Sequence, residues 1–258
     1  MRITPAQMPE QATPVAASRR AFGIASLDAA LGGGLARGRI HEIYAAEAED
    51  VAAPAGFALA TATGMTDPGR TVLWLRMQRA ARLGGAIQAA GWAELGGAPG
   101  HGLVGMVPDA MALLRAAVDS LRCATLGAVI VESWGTMREL DLTASRRLAL
   151  AAEKSGVPLF LLRMDAAPVP SAAQTRWQVT AAPSLALPGN APGGSAFDVT
   201  LLRQRSGPCG LGWRLEWDRD RRIFREAALS GAMVPVPSRR PAAAGGSGPA
   251  VADDRYAA

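Results

Sequence analysis

The sequence predicts an α/β fold: a mostly parallel sheet flanked by helices, with a C-terminal antiparallel β-hairpin extension. Two patterns carry this prediction. Near-continuous apolar runs at 126–132 and 157–162 alternate with segments of helical periodicity, as in parallel strands covered on both faces. Further along, 197–201 and 213–217 alternate apolar and polar residues, and the turn-rich stretch 206–212 joins them. Such strands are typical of antiparallel pairs.

The elements follow in order along the chain. A short helix around Ser26 ends at the glycines 32–34, and Asp109 is placed to cap a helix whose Leu114, Val118 and Leu121 share one face. The remaining predicted helices are 54–63, 79–93 and 142–154, and the predicted strands of the core are 39–44, 71–76, 103–107, 126–132 and 157–162. The segment 175–180 alternates apolar and polar residues as 197–201 and 213–217 do, so it is predicted to belong with the antiparallel strands. The apolar strands predict one buried sheet with helices on both faces.

Composition divides the chain into three parts. Residues 1–20 are polar and rich in Pro and Ala, which predicts a flexible N-terminal arm, and 227–258 are Pro/Gly/Ala-rich, which predicts a disordered tail. The globular domain is therefore expected at 21–226, with 197–226 as its antiparallel extension.

Several classes of protein are disfavoured by composition. No apolar run approaches the roughly 18 residues of a membrane span, and the N-terminus lacks a secretory apolar segment, so a cytoplasmic protein is expected without membrane contact. Cys123 and Cys209 stand alone, without the spacing of a zinc site or a disulfide framework. His41 falls in a predicted strand and His101 in a glycine-rich loop, and each is interpreted as structural.

The net charge is +5, and Lys154 is the only lysine among 27 basic residues. A basic chain can contact nucleic acid, but this modest excess alone does not indicate it. Any DNA contact is expected to be weak or indirect.

The most informative stretch is 23–44, which reads GIASLDAALGGGLARGRIHEIY. It resembles the entry to the RecA ATPase core, where a short helix and a strand lead into the phosphate-binding loop. The resemblance implies a RecA-like domain. Such a loop uses glycines for close backbone approach, a lysine for the phosphates and a hydroxyl for Mg²⁺.

The expected phosphate-binding loop is degenerate. Val51 stands in the position of the lysine and Ala52 in that of the hydroxyl. The stretch that begins at Ala45 adds Glu47, Glu49 and Asp50, whose charges would repel phosphate. Downstream, Gln78 stands where that family keeps its catalytic glutamate, and Glu132 replaces the metal-binding aspartate of the Walker B strand. We expect no catalytic residues, no nucleotide cofactor and no metal.

The segments 171–177 and 182–184, and the hairpin end at 212–217, are similar to the ImuA family of bacterial damage-induced mutagenesis cassettes. That resemblance implies a non-catalytic adaptor in SOS-induced, error-prone translesion synthesis. Its implied partner is an ImuB-type inactive polymerase, with RecA and an error-prone DnaE-type polymerase as further candidates. An ATP-dependent RecA-like DNA-repair protein and an SOS cell-division inhibitor remain alternatives.

The C-terminal extension is the predicted partner surface, because it combines tryptophans on one face with many arginines. Packing of the tryptophans against the core sheet is the competing interpretation. The candidate surface consists of Arg203, Arg205, Trp213, Arg214, Trp217, Arg221, Arg222 and Phe224.

Overall fold

The computed structural model describes residues 18–47, 50–98, 100–191 and 193–227. The helices are α1 (Ala25–Ala30), α2 (Ala52–Met65), α3 (Gln78–Gly84), α4 (Ala89–Glu94), α5 (Ala110–Leu121) and α6 (Leu142–Ser155), with a 3₁₀ turn at Pro188–Asn190. The strands are β1 (Arg19–Arg20), β2 (Leu35–Ala36), β3 (Ile40–Ala45), β4 (Thr71–Met77), β5 (Gly102–Val107), β6 (Leu126–Trp134), β7 (Leu159–Met164), β8 (Thr175–Ala181), β9 (Ala196–Gln204), β10 (Leu211–Asp218) and β11 (Ile223–Glu226).

Nine strands form one sheet in the order β11-β10-β9-β8-β3-β7-β6-β4-β5. The six strands from β8 to β5 are mutually parallel, and β9, β10 and β11 continue the sheet in antiparallel pairing. This arrangement confirms the predicted fold class.

Two apolar cores cover the sheet. One face packs against α2, where Phe57, Ile130 and Trp177 are buried together. The other packs against α5 and α6, around Leu113, Leu148 and Leu161. Helix α5 begins as predicted, because the carboxylate of Asp109 accepts a hydrogen bond from the backbone N–H of Ala112 (2.8 Å).

Two predictions of local structure need correction, and one strand was missed. The helix expected at 79–93 is two short helices, α3 and α4, because Gly85 adopts φ +74° and ends the first. The strand at Thr175–Ala181 pairs antiparallel with β9 but parallel with β3, so it belongs to both halves of the sheet. Strand β11 was not predicted.

The predicted arm lies mostly outside the described residues, but Arg19 and Arg20 form β1 and pair with Ala36 and Leu35. The predicted tail lies outside them beyond Ala227. Both remain predictions. In the part of the chain that is described, no helix is long and apolar enough to cross a bilayer.

Candidate functional site

The parallel topology brings the carboxyl ends of β3, β4 and β6 together at the start of α2, where ligands bind in open α/β sheets. Ala45 is the last residue of β3, and α2 begins at Ala52. Of the predicted loop residues, Glu47 is exposed and Val51 is half-buried. Residues 48 and 49 lie outside the described chain.

Asp50 contacts the end of strand β8 and the first turn of α2. Its carboxylate accepts hydrogen bonds from the backbone N–H of Ala181 at the end of β8 and, at 3.4 Å, from that of Ala53 in the first turn of α2. The side chain therefore ties the start of α2 to strand β8.

A cavity of about 310 Å³ lies beside the start of α2. Its lining is dominated by aliphatic side chains and three tryptophans. The residues that line it are Val51, Ala52, Ala55, Gly56, Leu59, Trp74, Arg76, Gly84, Ala86, Ile87, Gln88, Gly91, Trp92, Leu95, Glu132, Trp134 and Met164. Gln78 is not among these; it is the exposed first residue of α3. The cavity therefore offers a mainly apolar surface.

Glu132 is buried at the back of this cavity and is fully engaged by protein donors. One carboxylate oxygen, Oε1, accepts from Nη2 of Arg76 (2.8 Å) and from Nε1 of Trp134 (2.7 Å). The other, Oε2, accepts from Nε1 of Trp74 (2.9 Å). Three donors thus satisfy the carboxylate without a metal ion.

The positive charge beside Glu132 comes from Arg76. Both side chains are only 4% exposed, and a second guanidinium nitrogen of Arg76 donates to the carbonyl oxygen of Gly85 (2.8 Å). Removal of either partner would leave a charge buried alone. The pair neutralises the polar end of an otherwise apolar cavity.

The opposite face of the sheet carries a second buried carboxylate. Glu42 of β3 accepts from Nε of Arg176 (2.8 Å) and from the hydroxyl of Tyr44 (3.4 Å). The guanidinium groups of Arg163 and Arg176 lie 5.8 and 5.6 Å from the centre of the Tyr44 ring. Burial, followed by the negative charge of Glu42, raises the pKa of Tyr44, so the phenol stays protonated.

His41 lies in a third buried network, close to the α2 core. Its Nε2 lies 2.8 Å from the carbonyl oxygen of Ala36, and its Nδ1 lies 2.7 Å from the hydroxyl of Thr175. That hydroxyl also accepts from Nε1 of Trp177 (2.8 Å). A neutral imidazole satisfies every contact, and burial lowers the pKa of His41 from 6.5 to about 4. The structural interpretation of His41 is confirmed.

The predicted partner surface needs correction. Trp217 and Phe224 are buried, 4% and 5% exposed, because the inner face of the extension packs over α2. Trp213 is half-buried, and its Nε1 donates to the hydroxyl of Ser26 (3.1 Å). Arg214 forms a bidentate pair with Asp198 across β9 and β10 (2.8 and 2.7 Å).

The four remaining arginines of that surface are exposed but lie at opposite ends of the extension. Arg203 and Arg205 lie at the end of β9, beside the start of β10. Arg221 and Arg222 lie in the turn that follows β10. The eight predicted residues therefore do not form one continuous patch.

Comparison with known proteins places this architecture in a family. No protein-family model matches the chain. The protein ImuA of two strains of Caulobacter vibrioides is 33% identical to it over 210 residues, which cover 76% of this chain and 82% of the relative. The chain belongs to the ImuA family. A solved structure of the RadB recombinase matches with a TM-score of 0.52 and 17% identity, covering 81% of this chain and 100% of RadB, and supports the RecA-like fold alone.

The sequence segments that resembled the ImuA family hold the interior of the fold together. Arg176 pairs with Glu42, Ser171 lies 3.3 Å from Arg176, and Trp177 donates to Thr175. Trp217 donates to the carbonyl oxygen of Glu94 (2.9 Å). These residues anchor β8 and the extension to the core.

Sequence reasoning missed the residues that hold Glu132. One signal was available: Arg76 interrupts the apolar strand 71–77, and in the sheet it lies directly opposite Glu132. A charged residue inside a buried strand predicts a partner of opposite charge on a neighbouring strand. Trp74 and Trp134 gave no such signal, because tryptophan is common in strands and usually indicates only packing in the core.

Proposed function

We propose that this ImuA-family protein is a non-catalytic RecA-like adaptor in SOS-induced, error-prone translesion synthesis. It would act with an ImuB-type inactive polymerase, and RecA and an error-prone DnaE-type polymerase are further candidate partners. Family membership supports the cellular process. The state of Glu132 supports the absence of catalysis.

The Glu132 site is the observation that carries the proposal. A Walker B carboxylate needs a free oxygen that faces Mg²⁺, either directly or through water. Here both oxygens accept from Arg76, Trp74 and Trp134, and the guanidinium already supplies the positive charge. The residues present do not fit a magnesium–nucleotide complex.

The phosphate side of the site supports the same proposal. Val51 and Ala52 carry neither an ammonium group nor a hydroxyl. The carboxylate of Asp50 accepts hydrogen bonds from the backbone N–H groups of Ala53 and Ala181. The cavity beside them is lined mainly by apolar groups. A triphosphate that entered this cavity would lose hydrogen bonds to water, and the apolar side chains could not supply new ones.

The adaptor role is tested by damage-induced mutation frequency in cells. Deletion of the gene should remove the induced mutations, and the wild-type chain should restore them. The double variant V51A/Q78A should restore them equally, since neither side chain takes part in chemistry. A matched pull-down with the ImuB-type partner should also be unchanged for this variant.

Each alternative gives a different result. If V51A/Q78A is folded and fails to restore mutagenesis, and the wild-type chain also binds Mg·ATP, the chain is an ATP-dependent repair protein. If deletion leaves induced mutations unchanged but abolishes damage-induced filamentation, the chain is a cell-division inhibitor.

A further inference from the structure

Strand β5 is an unusual edge for a parallel sheet. Among the described residues it pairs only with β4, and its six residues, GLVGMV, include no charge and no proline. Leu103, Val104 and Met106 are 54%, 48% and 45% exposed. Exposed edge strands normally carry charges, prolines or bulges that prevent pairing with another strand. Strand β5 itself lacks those features, and Pro108 follows it directly.

The backbone of β5 is open for pairing on its outer side. The N–H of Val72 in β4 donates to the carbonyl oxygen of His101 (2.9 Å). In a parallel ladder, alternate residues of a strand direct both N–H and C=O toward the same neighbour. The polar groups of Gly102, Val104 and Met106 therefore face away from β4.

The side chains of β5 form two small apolar surfaces. Val104 lies beside Trp74, a residue of the α2 core, and Met106 projects to the same face because it is two residues further along. Leu103 lies beside Leu73, which packs against the α5 core, and Val107 shares that face. Both faces of the edge are therefore apolar.

We propose that two copies of this chain pair through β5 in antiparallel orientation about a two-fold axis at Gly105. In this register Val104 of one copy faces Met106 of the second copy on one face, and Leu103 faces Val107 of the second copy on the other. The axis runs perpendicular to the sheet, so side chains on one face of β5 lie on the same face of the combined sheet as their counterparts in the second copy. The two nine-stranded sheets become one.

Self-pairing explains the edge better than an unrelated strand because the sequence is complementary to itself. The register that pairs Val104 with Met106 hydrogen-bonds both of their outward backbone groups, and it places the small Gly105 where the two copies cross. The same register sets Pro108, which has no backbone N–H, opposite Gly102 of the second copy, so the paired segment ends there. The dimer is independent of the role proposed in mutagenesis.

The first test is the association state of the full-length chain by sedimentation velocity at micromolar concentration. The wild-type chain should sediment as a dimer. V104K should raise the dissociation constant about tenfold or more, because it puts a charge on the edge of each copy. The matched control is L150K, which adds the same charge at a leucine of α6 that is 67% exposed, and it should remain dimeric.

The second test fixes the register and does not depend on a destabilising charge. In a background where the exposed Cys123 and Cys209 are serine, L103C and V107C chains are prepared separately and mixed under oxidising conditions. Disulfide-linked dimers should form in the mixture and not from L103C alone, because residue 103 of one copy faces residue 107 of the second copy and not its residue 103.

Three results overturn the proposal. The first is a monomer at every concentration tested. The second is a dimer that a folded V104K variant does not weaken. The third is a dimer in which cross-linking joins 103 to 103 and not 103 to 107.

Discussion

At the scale of single residues, the defining feature of the site is the set of hydrogen-bond donors around the Glu132 carboxylate. In a RecA-like ATPase, the carboxylate at this position serves a metal ion. In this chain Arg76 provides the charge and two tryptophans provide the remaining donors. A buried ion pair contributes little net stability, but separating its members is costly because one charge is then buried alone.

We therefore expect Glu132→Gln to act on stability. The amide cannot balance the buried guanidinium, so the free energy of unfolding should fall by about 3–5 kcal/mol in urea titrations. The matched control is Asp119→Asn in the exposed pair with Arg122, where the side chains are 68% and 73% exposed. That change should cost less than about 0.5 kcal/mol. Equal effects for the two variants would mean that the buried pair has no special role.

His41 should make stability depend on pH. Its folded pKa of about 4 lies below the value of 6.5 for an unfolded histidine, so between those values the unfolded chain binds more protons. Stability should therefore fall as the pH decreases from 6.5 to 4, by about 3 kcal/mol from this group. The wild type and His41→Asn should be compared by urea unfolding at several pH values. The variant should have a flatter profile over this window, and an unchanged slope would contradict the assignment.

Sequence reasoning reached only part of the site at this scale. That Val51 and Ala52 carry neither an ammonium group nor a hydroxyl is visible from residue types alone. The partners of Glu132 come from β4 and from the end of β6, and only the pairing of strands brings Arg76 beside it. The order of residues along the chain does not reveal how β4 pairs with β6.

At the scale of elements, the C-terminal extension shows the limit of periodicity. The alternation of Trp213, Leu215 and Trp217 correctly predicts a strand with one apolar face. It does not state whether that face meets solvent, a partner or the core. In the structure the face covers α2, because the sheet continues from β8 into β9 and carries the hairpin over the helix. The charged face, with Arg214 and Asp198, is the side left to solvent.

The extension should therefore be needed for folding. Phe224 lies 5.0 Å from Trp217 and 5.5 Å from Phe57, ring centre to ring centre, inside the α2 core. Phe224→Ala should lower the free energy of unfolding by about 3–5 kcal/mol. Its neighbour Ile223 is 43% exposed, and Ile223→Ala should cost less than about 1 kcal/mol. If Phe224→Ala were neutral for stability but removed partner binding, Phe224 would be an interface residue after all.

At the scale of the whole molecule, the fold keeps a RecA-like sheet, and protein groups engage Glu132 at the carboxyl ends of its strands. The carboxyl ends of β3, β4 and β6 still converge on the start of α2. What they present there is a neutral ion pair and a mainly apolar cavity. Under the adaptor role proposed above, such a scaffold acts through its surfaces, and the exposed edge at β5 and the charged face of the extension are two of them.

The central claim, that this site holds no nucleotide, is tested most directly by thermal unfolding of the full-length chain with millimolar Mg·ATP. A ligand that binds only the folded state must raise the melting temperature, and a RecA-like ATPase measured in parallel serves as the positive control. We expect the same melting temperature with and without Mg·ATP. A saturable increase of more than about two degrees would show a working nucleotide site and contradict this account.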